Sequence, residues 1–159
     1  MIAVSDTSPL NYLILIGEIE LLQKIFSRVV LPPAVLVELG HQRTPPAVAT
    51  WAKRLPSWVE VVPPERSIDG VALGRGEAET IAVAKQIAAD VTLIDERKAS
   101  VMAQQLGLSV IGTLGVLDLA AGRQLVDLNA AILRLLETNF RVSPTVIEEL
   151  LRPHRHPDA

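Results

Sequence analysis

Short apolar runs alternate with segments of helical periodicity from one end of this chain to the other, and that alternation narrows the possible folds more than any other feature. The runs are Ile2–Ser5, Arg28–Leu31, Trp58–Val62, Val91–Ile94 and Leu108–Ile111. They read as nearly continuous Val, Ile and Leu rather than as apolar–polar alternation, the pattern of strands buried on both faces. Strands of that kind with helices between them form a parallel sheet covered on both sides. The expected fold class is therefore α/β, a three-layer sandwich with about five parallel strands. Aromatic residues make up only 3% of a chain that is 49% hydrophobic, so Val, Leu, Ile and Ala must fill the core.

The helical segments carry their own punctuation. Ser8-Pro9 offers an N-cap followed by proline at the first helical position. Two short helices, Leu10–Ile16 and Ile19–Phe26, break at Gly17. Pro32-Pro33 opens another, which ends near Gly40, and Pro46–Leu55 follows. Pro63–Leu73, with two prolines and a glycine, is the longest loop. Further on come Glu77–Ala88, Arg97–Leu106, Thr113–Ala121 capped by Thr113 with Gly122 after its end, Leu128–Thr138 and Pro144–Leu151. At 159 residues the chain is expected to close around one core, residues 1–152, with a frayed tail over 153–159 that carries His154 and His156.

Composition removes several chemistries. With no cysteine there is no disulfide scaffold, thiolate nucleophile, cysteine zinc site or iron–sulfur cluster. No stretch approaches the roughly 20 apolar residues of a membrane span, and the amino terminus shows no basic secretory region. A cytoplasmic location is the expectation. The formal charge of −3 argues mildly against a broad basic surface for nucleic acid.

In open parallel sheets, ligands bind beyond the carboxyl ends of the strands, where the strand order reverses. Asp6 follows the first apolar run directly, and Asp95 follows Val91–Ile94, with Glu96 beside it. Either Asp alone reads equally as a turn or cap residue; two in one sheet open into the same crevice. Glu38 is the one charged side chain in Val29–Leu39. It either has a partner in a buried helix or marks that helix's solvent edge. Glu77 and Glu79 stand at the start of the Ala-rich helix, where acids favour the helix dipole in any case. Their glycine neighbours form no phosphate loop, since no Lys-Ser or Lys-Thr follows. Asp6, Glu38, Glu77 and Asp95 together would repel one another unless protonated or bridged. Mg²⁺ or Mn²⁺, both oxygen-seeking, removes that conflict and suits phosphodiester hydrolysis.

The order strand–Asp6-Thr7-Ser8-Pro9-Leu10, Glu38-Leu39, Gly76-Glu77-Ala78-Glu79-Thr80-Ile81-Ala82 and Leu93-Ile94-Asp95-Glu96-Arg97-Lys98-Ala99 resembles the PIN-domain superfamily. That superfamily contains metal-dependent ribonucleases, VapC-type toxins among them. Asp-Thr-Ser-Pro-Leu near the start and Ile-Gly-Thr-Leu-Gly-Val-Leu later resemble a little-characterised prokaryotic branch. The resemblance spans Ile2 to Leu151. It implies single-stranded or structured RNA as substrate, Mg²⁺ or Mn²⁺ as cofactor, frequent homodimers, and often a small antitoxin partner. Carried onto this chain, it implies Asp6, Glu38, Glu77 and Asp95 as catalytic metal ligands, with Glu96 the alternative to Asp95 and Glu79 the alternative to Glu77. Thr7, Ser8 and Thr113 match hydroxyl positions that orient a carboxylate, water or phosphate, although helix capping accounts for Ser8 and Thr113.

Arg75, Arg97 and Lys98 flank these acids as candidate phosphate contacts or as a solvated face. The aromatics Tyr12, Phe26, Trp51, Trp58 and Phe140 are scattered, which argues against a base-stacking platform. Leu10, Leu13, Ile14, Ile19 and Leu22 fit core packing or an apolar strip for a partner, and His41 reads as a surface residue. Two rival readings remain. One is a non-catalytic PIN-like module binding RNA or protein. The other is a phosphoacceptor receiver domain, which the Gly112-Thr113 pair after the last strand disfavours. Setting the four proposed ligands aside leaves 14 acids against 15 bases, so the net charge does not exclude an RNA substrate.

Overall fold

A computed structural model describes residues 1–68 and 72–154. The strands are β1 (Ile2–Ser5), β2 (Arg28–Leu31), β3 (Val59–Val61), β4 (Val91–Leu93) and β5 (Val110–Ile111). They pair in parallel throughout, in the order β3-β2-β1-β4-β5. Parallel neighbours require crossover connections, and helices supply them. α1 (Thr7–Leu15) and α2 (Leu21–Ile25) join β1 to β2, and α3 (Pro33–Leu39) and α4 (Pro46–Lys53) join β2 to β3. α5 (Arg75–Gln86) leads into β4, α6 (Arg97–Gln105) into β5, and α7 (Thr113–Gly122), α8 (Leu128–Leu136) and α9 (Pro144–Leu151) follow. Pro153, expected in the frayed tail, lies in a 3₁₀ turn over Arg152–His154; residues 155–159, with His156, lie outside the described residues, as does 69–71 of the long loop.

The sheet divides two cores. On one side Leu10 and Leu13 of α1, Leu22 of α2, Leu117 of α7 and Leu135 of α8 are fully buried with Val29 and Leu31. Each such side chain contributes roughly 1.5–3 kcal/mol by leaving water. Ile14 and Ile19 pack half-buried against the same cluster, so the apolar strip of the first two helices is core. On the other side the small residues Val83 and Ala84 let α5 lie close against Val4 and Val30, and Ile81 joins Ile94, Ala99 and Ala103 under α6. Among the described residues, no helix is long and apolar enough to cross a membrane.

Element ends depart from the sequence expectations in instructive ways. α1 begins at Thr7 with Asp6 in the N-cap position, so Ser8 is not a cap and Pro9 sits in the third helical position, where its missing N–H is still tolerated. Likewise Gly112, not Thr113, is the N-cap of α7, and Gly122 is its last residue. β3 is an edge strand, half-buried at Val59 and exposed at Glu60 and Val61. Glu60 there pairs with Arg28 across the strands at 2.7 Å. The break at Gly17 is as expected, with φ at +76°, a left-handed conformation that favours glycine.

Topology positions the site. From β1 the chain moves outward through β2 and β3, then returns to the other flank of β1 with β4 and β5. The reversal lies between β1 and β4, paired through Ser5↔Leu93. The Asp6 backbone N–H donates to the Leu93 carbonyl at 2.9 Å, which carries Asp6 and Asp95 out at the same end of adjacent strands.

Candidate active site

Asp6 leaves β1 in an extended conformation (φ −77°, ψ 176°) and does not cap its own helix. Its side chain is turned inward, 5% exposed. Its Oδ1 is buried without a hydrogen-bond partner. A buried polar atom left unpaired costs about 1–3 kcal/mol, more when charged, so such an atom needs a reason. Burial above all, then the charges of Glu77, Glu38 and Asp95, push the Asp6 carboxyl up to about 7, against the lowering effect of the Thr7 backbone N–H.

Asp95 follows β4 by one residue, Ile94, and is held from two directions. Thr113 at the start of α7 donates its backbone N–H to Oδ1 at 2.6 Å and its hydroxyl to Oδ2 at 2.7 Å. Burial still raises the Asp95 carboxyl above its ordinary range despite both bonds. Glu38, near the end of α3, accepts the Thr7 hydroxyl and the Gly76 backbone N–H, the latter at 3.1 Å. Its helix is not buried all round: Glu38 and Val37 are exposed, Val37 at 73%. Glu38 therefore both faces solvent and has partners.

Glu77 lies in the first turn of α5. Burial raises its carboxyl, and the neighbouring charges of Glu96 and Glu38 raise it further, while Lys98 opposes them. Glu96 behaves differently. It is the N-cap of α6, accepting from Lys98 N at 3.0 Å and Ala99 N at 2.8 Å. Those backbone donors hold it below the ordinary carboxylate range. Of the pair after β4, Asp95 thus turns toward Asp6, and Glu96 serves its helix while facing Glu77. Glu79 points elsewhere altogether. It accepts the Ala34 N–H at 3.1 Å and pairs with Arg75 at 3.2 Å, giving α3 the cap that Pro32 lacks.

Two glycines make room for this arrangement. A Cβ on Gly76 would stand 2.6 Å and 2.7 Å from the Glu38 oxygens, and one on Gly112 would stand 2.5 Å from Asp95 Oδ1. Gly112 has φ −103°, open to any residue, so space rather than backbone freedom calls for glycine.

Three carboxyls are raised together, all by burial first and Asp6 and Glu77 by neighbouring charges as well, and a proton or a cation relieves that cost. The donor set is oxygen only, the chemistry of a hard divalent cation, and the unpaired Asp6 Oδ1 is an open acceptor among them. Among the described residues, no three acidic or imidazole groups are gathered tightly enough to hold an ion as they stand. The fit is thus one of donor chemistry and charge, with a coordination sphere still to be drawn together.

A family model described as a PIN domain matches residues 2–156. The chain belongs to the PIN-domain family. Among solved structures, this PIN domain is similar to a PilT N-terminus domain protein from the hyperthermophilic archaeon Sulfolobus solfataricus P2. The likeness has 17% identity and a TM-score of 0.48, over 90% of this chain and 100% of that one. No curated protein matches the chain.

The remaining sequence candidates separate clearly in the PIN domain. Thr7 and Thr113 position carboxylates; Ser8 is half-buried on α1. The Arg75 side chain is 86% exposed and engaged with Glu79, away from the acids. Arg97 and Lys98 are exposed beside Glu96, and His41 is exposed. Sequence reasoning missed Gly76 and Gly112, whose signal was a glycine directly before an acid or hydroxyl residue at a helix start. It also missed Tyr12, whose hydroxyl donates to Asn139 Oδ1 at 2.9 Å and lies close enough to Asp95 to feel its charge.

Proposed function

We propose that this PIN domain is an endoribonuclease that hydrolyses RNA phosphodiester bonds with Mg²⁺ or Mn²⁺. The observation that carries the reading is Asp6: a buried carboxyl with an unpaired oxygen, raised to about 7 among Glu77, Glu38 and Asp95 at the strand reversal. A bound divalent cation supplies Lewis acidity toward a phosphate oxygen and makes an adjacent water easier to deprotonate. Asp6, Glu38, Glu77 and Asp95 are the residues to hold it, with Glu96 beside Glu77. Thr113 keeps Asp95 turned inward, and Thr7 and Gly76 restrain Glu38, so little side-chain freedom is lost when substrate arrives. Arg97 and Lys98, exposed at the rim, contact phosphates of the incoming strand.

The test is cleavage of end-labelled RNA with Mn²⁺, with excess EDTA, and by Asp6→Asn. Cleavage by the wild type alone, and only with metal, is the expected result; equal activity of the mutant, or activity in EDTA, refutes the reading. A toxin role, with a small antitoxin and a homodimeric assembly, belongs to the same proposal. It predicts growth arrest on expression, relieved by the neighbouring reading frame. A second reading, a non-catalytic module that binds RNA or protein, is favoured by the separation of the carboxylates. It predicts neither cleavage nor stabilisation by Mn²⁺.

A further inference from the structure

A cavity of about 360 Å³ opens beside the acidic centre and shares Asp95 and Gly112 with it. It runs along the outer side of β5, an edge strand. Val110 and Ile111 contribute to its floor, Gln104 of α6 to one wall, and Phe140 and Arg141 to the other. Its volume lies within the roughly 300–1,000 Å³ of small-ligand clefts.

The Phe140 wall is braced from behind. Tyr12 packs against Phe140 edge-to-face, with ring centroids 4.9 Å apart and planes at 84°, while the Tyr12 hydroxyl bonds Asn139. The Phe140 N–H donates to the Thr138 hydroxyl at 3.1 Å. The loop after α8 is thereby tied to α1, immediately beside the strand ends that carry the acids. Gln104 and Arg141 contrast with this bracing. Both are exposed, and among the described residues neither side chain has a hydrogen-bond or ion partner. An apolar ring, a free amide and a free guanidinium thus face one cavity whose inner end is a proposed metal ligand.

From this juxtaposition we propose that the β5-edge cavity receives an unpaired nucleobase next to the scissile phosphate, with Phe140 against the base, the Gln104 amide on its edge and Arg141 on the flanking phosphate. The inference rests on the ribonuclease reading and adds to it a specificity element, one base read beside the scissile phosphate. Unstacked bases are recognised in this way, by aromatic or guanidinium planes and by hydrogen bonds to their edges. An amide offers a donor and an acceptor side by side, the pair a base edge requires. The charge balance points the same way. With 15 basic residues against 18 acidic ones, general phosphate attraction is weak, and discrete contacts carry more of the affinity. A lone aromatic suffices for that, even though the five aromatics form no platform.

The experiment measures binding of a labelled single-stranded hexanucleotide by anisotropy in EDTA, and its cleavage with Mn²⁺, for the wild type, Gln104→Ala and Arg141→Gln. Both substitutions are on the surface, so folding is preserved. Each is expected to weaken binding and raise KM at least about fivefold, the low end for a base contact, with kcat within about twofold. Arg141→Gln also flattens the slope of log K against log salt by about 0.7, one phosphate contact on a single strand. An abasic nucleotide at the cleavage position weakens the wild type more than it weakens Gln104→Ala, in which only the Phe140 contact is left to lose, a difference that a merely structural role would not produce. Unchanged binding, KM and salt slope in an enzyme that still cleaves overturns the pocket and leaves the ribonuclease reading standing. RNA that binds, is weakened by both substitutions and is never cleaved supports the pocket and overturns catalysis. Failure of the wild type to bind RNA overturns both.

Discussion

Replacing Asp6 by Asn removes one negative charge from a buried cluster without changing its shape, and the metal-free protein should become more stable for it. The Asp6 carboxyl stands at about 7 when folded against an ordinary 3.8. Because its folded value is raised, its contribution is fully present below pH 3.8 and is lost as pH rises through 7. The native state then holds a carboxylate it would rather protonate. At about 1.4 kcal/mol per unit of pKa, full ionisation costs on the order of 4 kcal/mol at pH 8 and about 2 kcal/mol at pH 5. Asn mimics the protonated acid at every pH, so Asp6→Asn should exceed the wild type by up to about that amount at pH 8 in EDTA, less what Glu77 and Asp95 absorb by sharing the proton. At about 2–4 °C per kcal/mol for a chain of this size, the gap is measurable by calorimetry or denaturant titration, and it should at least halve at pH 5. Adding Mn²⁺ narrows the gap. The wild type gains about 2.7 kcal/mol at a hundredfold excess over Kd, while Asp6→Asn gains far less. Destabilisation of Asp6→Asn at pH 8 in EDTA, a gap independent of pH, or equal stabilisation of both proteins by Mn²⁺ would refute the electrostatic account of the site.

Three more substitutions address its construction. Thr113→Val deletes the hydroxyl bonded to Asp95 Oδ2 at 2.7 Å while keeping the volume; urea unfolding at pH 8 should show a loss of about 1.5–3 kcal/mol, the range for a bond to a charged acceptor. Gly112→Ala places a Cβ 2.5 Å from Asp95 Oδ1 and should lower kcat about 100-fold by displacing that carboxylate. The far-UV dichroism should stay unchanged, and full activity would show that the position of Asp95 is immaterial. Glu79→Gln keeps an acceptor for Ala34 N–H and should leave stabilisation by Mn²⁺ intact, whereas Glu77→Gln should abolish most of it; the opposite pattern would exchange their roles.

The fold was legible because its cause is local and repeated. Apolar triplets such as Ile2–Val4 and Val29–Leu31 read as strands buried on both faces, and helices between parallel strands are the usual crossovers. Ends were harder to read. Ser8-Pro9 carries a strong helix-start signal, yet the helix starts at Thr7, because Asp6, leaving β1, already sits in the N-cap position. Asp6 and Asp95 could be found in advance, since a residue at the end of a buried strand has only the crevice or the next helix to serve.

Choices between neighbours were another matter. Glu77 and Glu79 both lie near the start of α5, and Asp95 and Glu96 are adjacent, so propensity treats the members of each pair alike. Contacts remote in sequence separate them: Ala34 takes Glu79, Thr113 takes Asp95, and the α6 N-terminus takes Glu96. Gly76 likewise gains its meaning from a carboxylate 38 residues away. By itself the amino-acid sequence determined the layered parallel sheet and which acids stand at strand ends and helix starts, because burial and strand ends are properties of short segments. Which acids face one another, how far Asp6 is lifted toward neutrality and where a cavity opens beside β5 were decided only by tertiary structure, because each depends on distances between segments that no local pattern encodes.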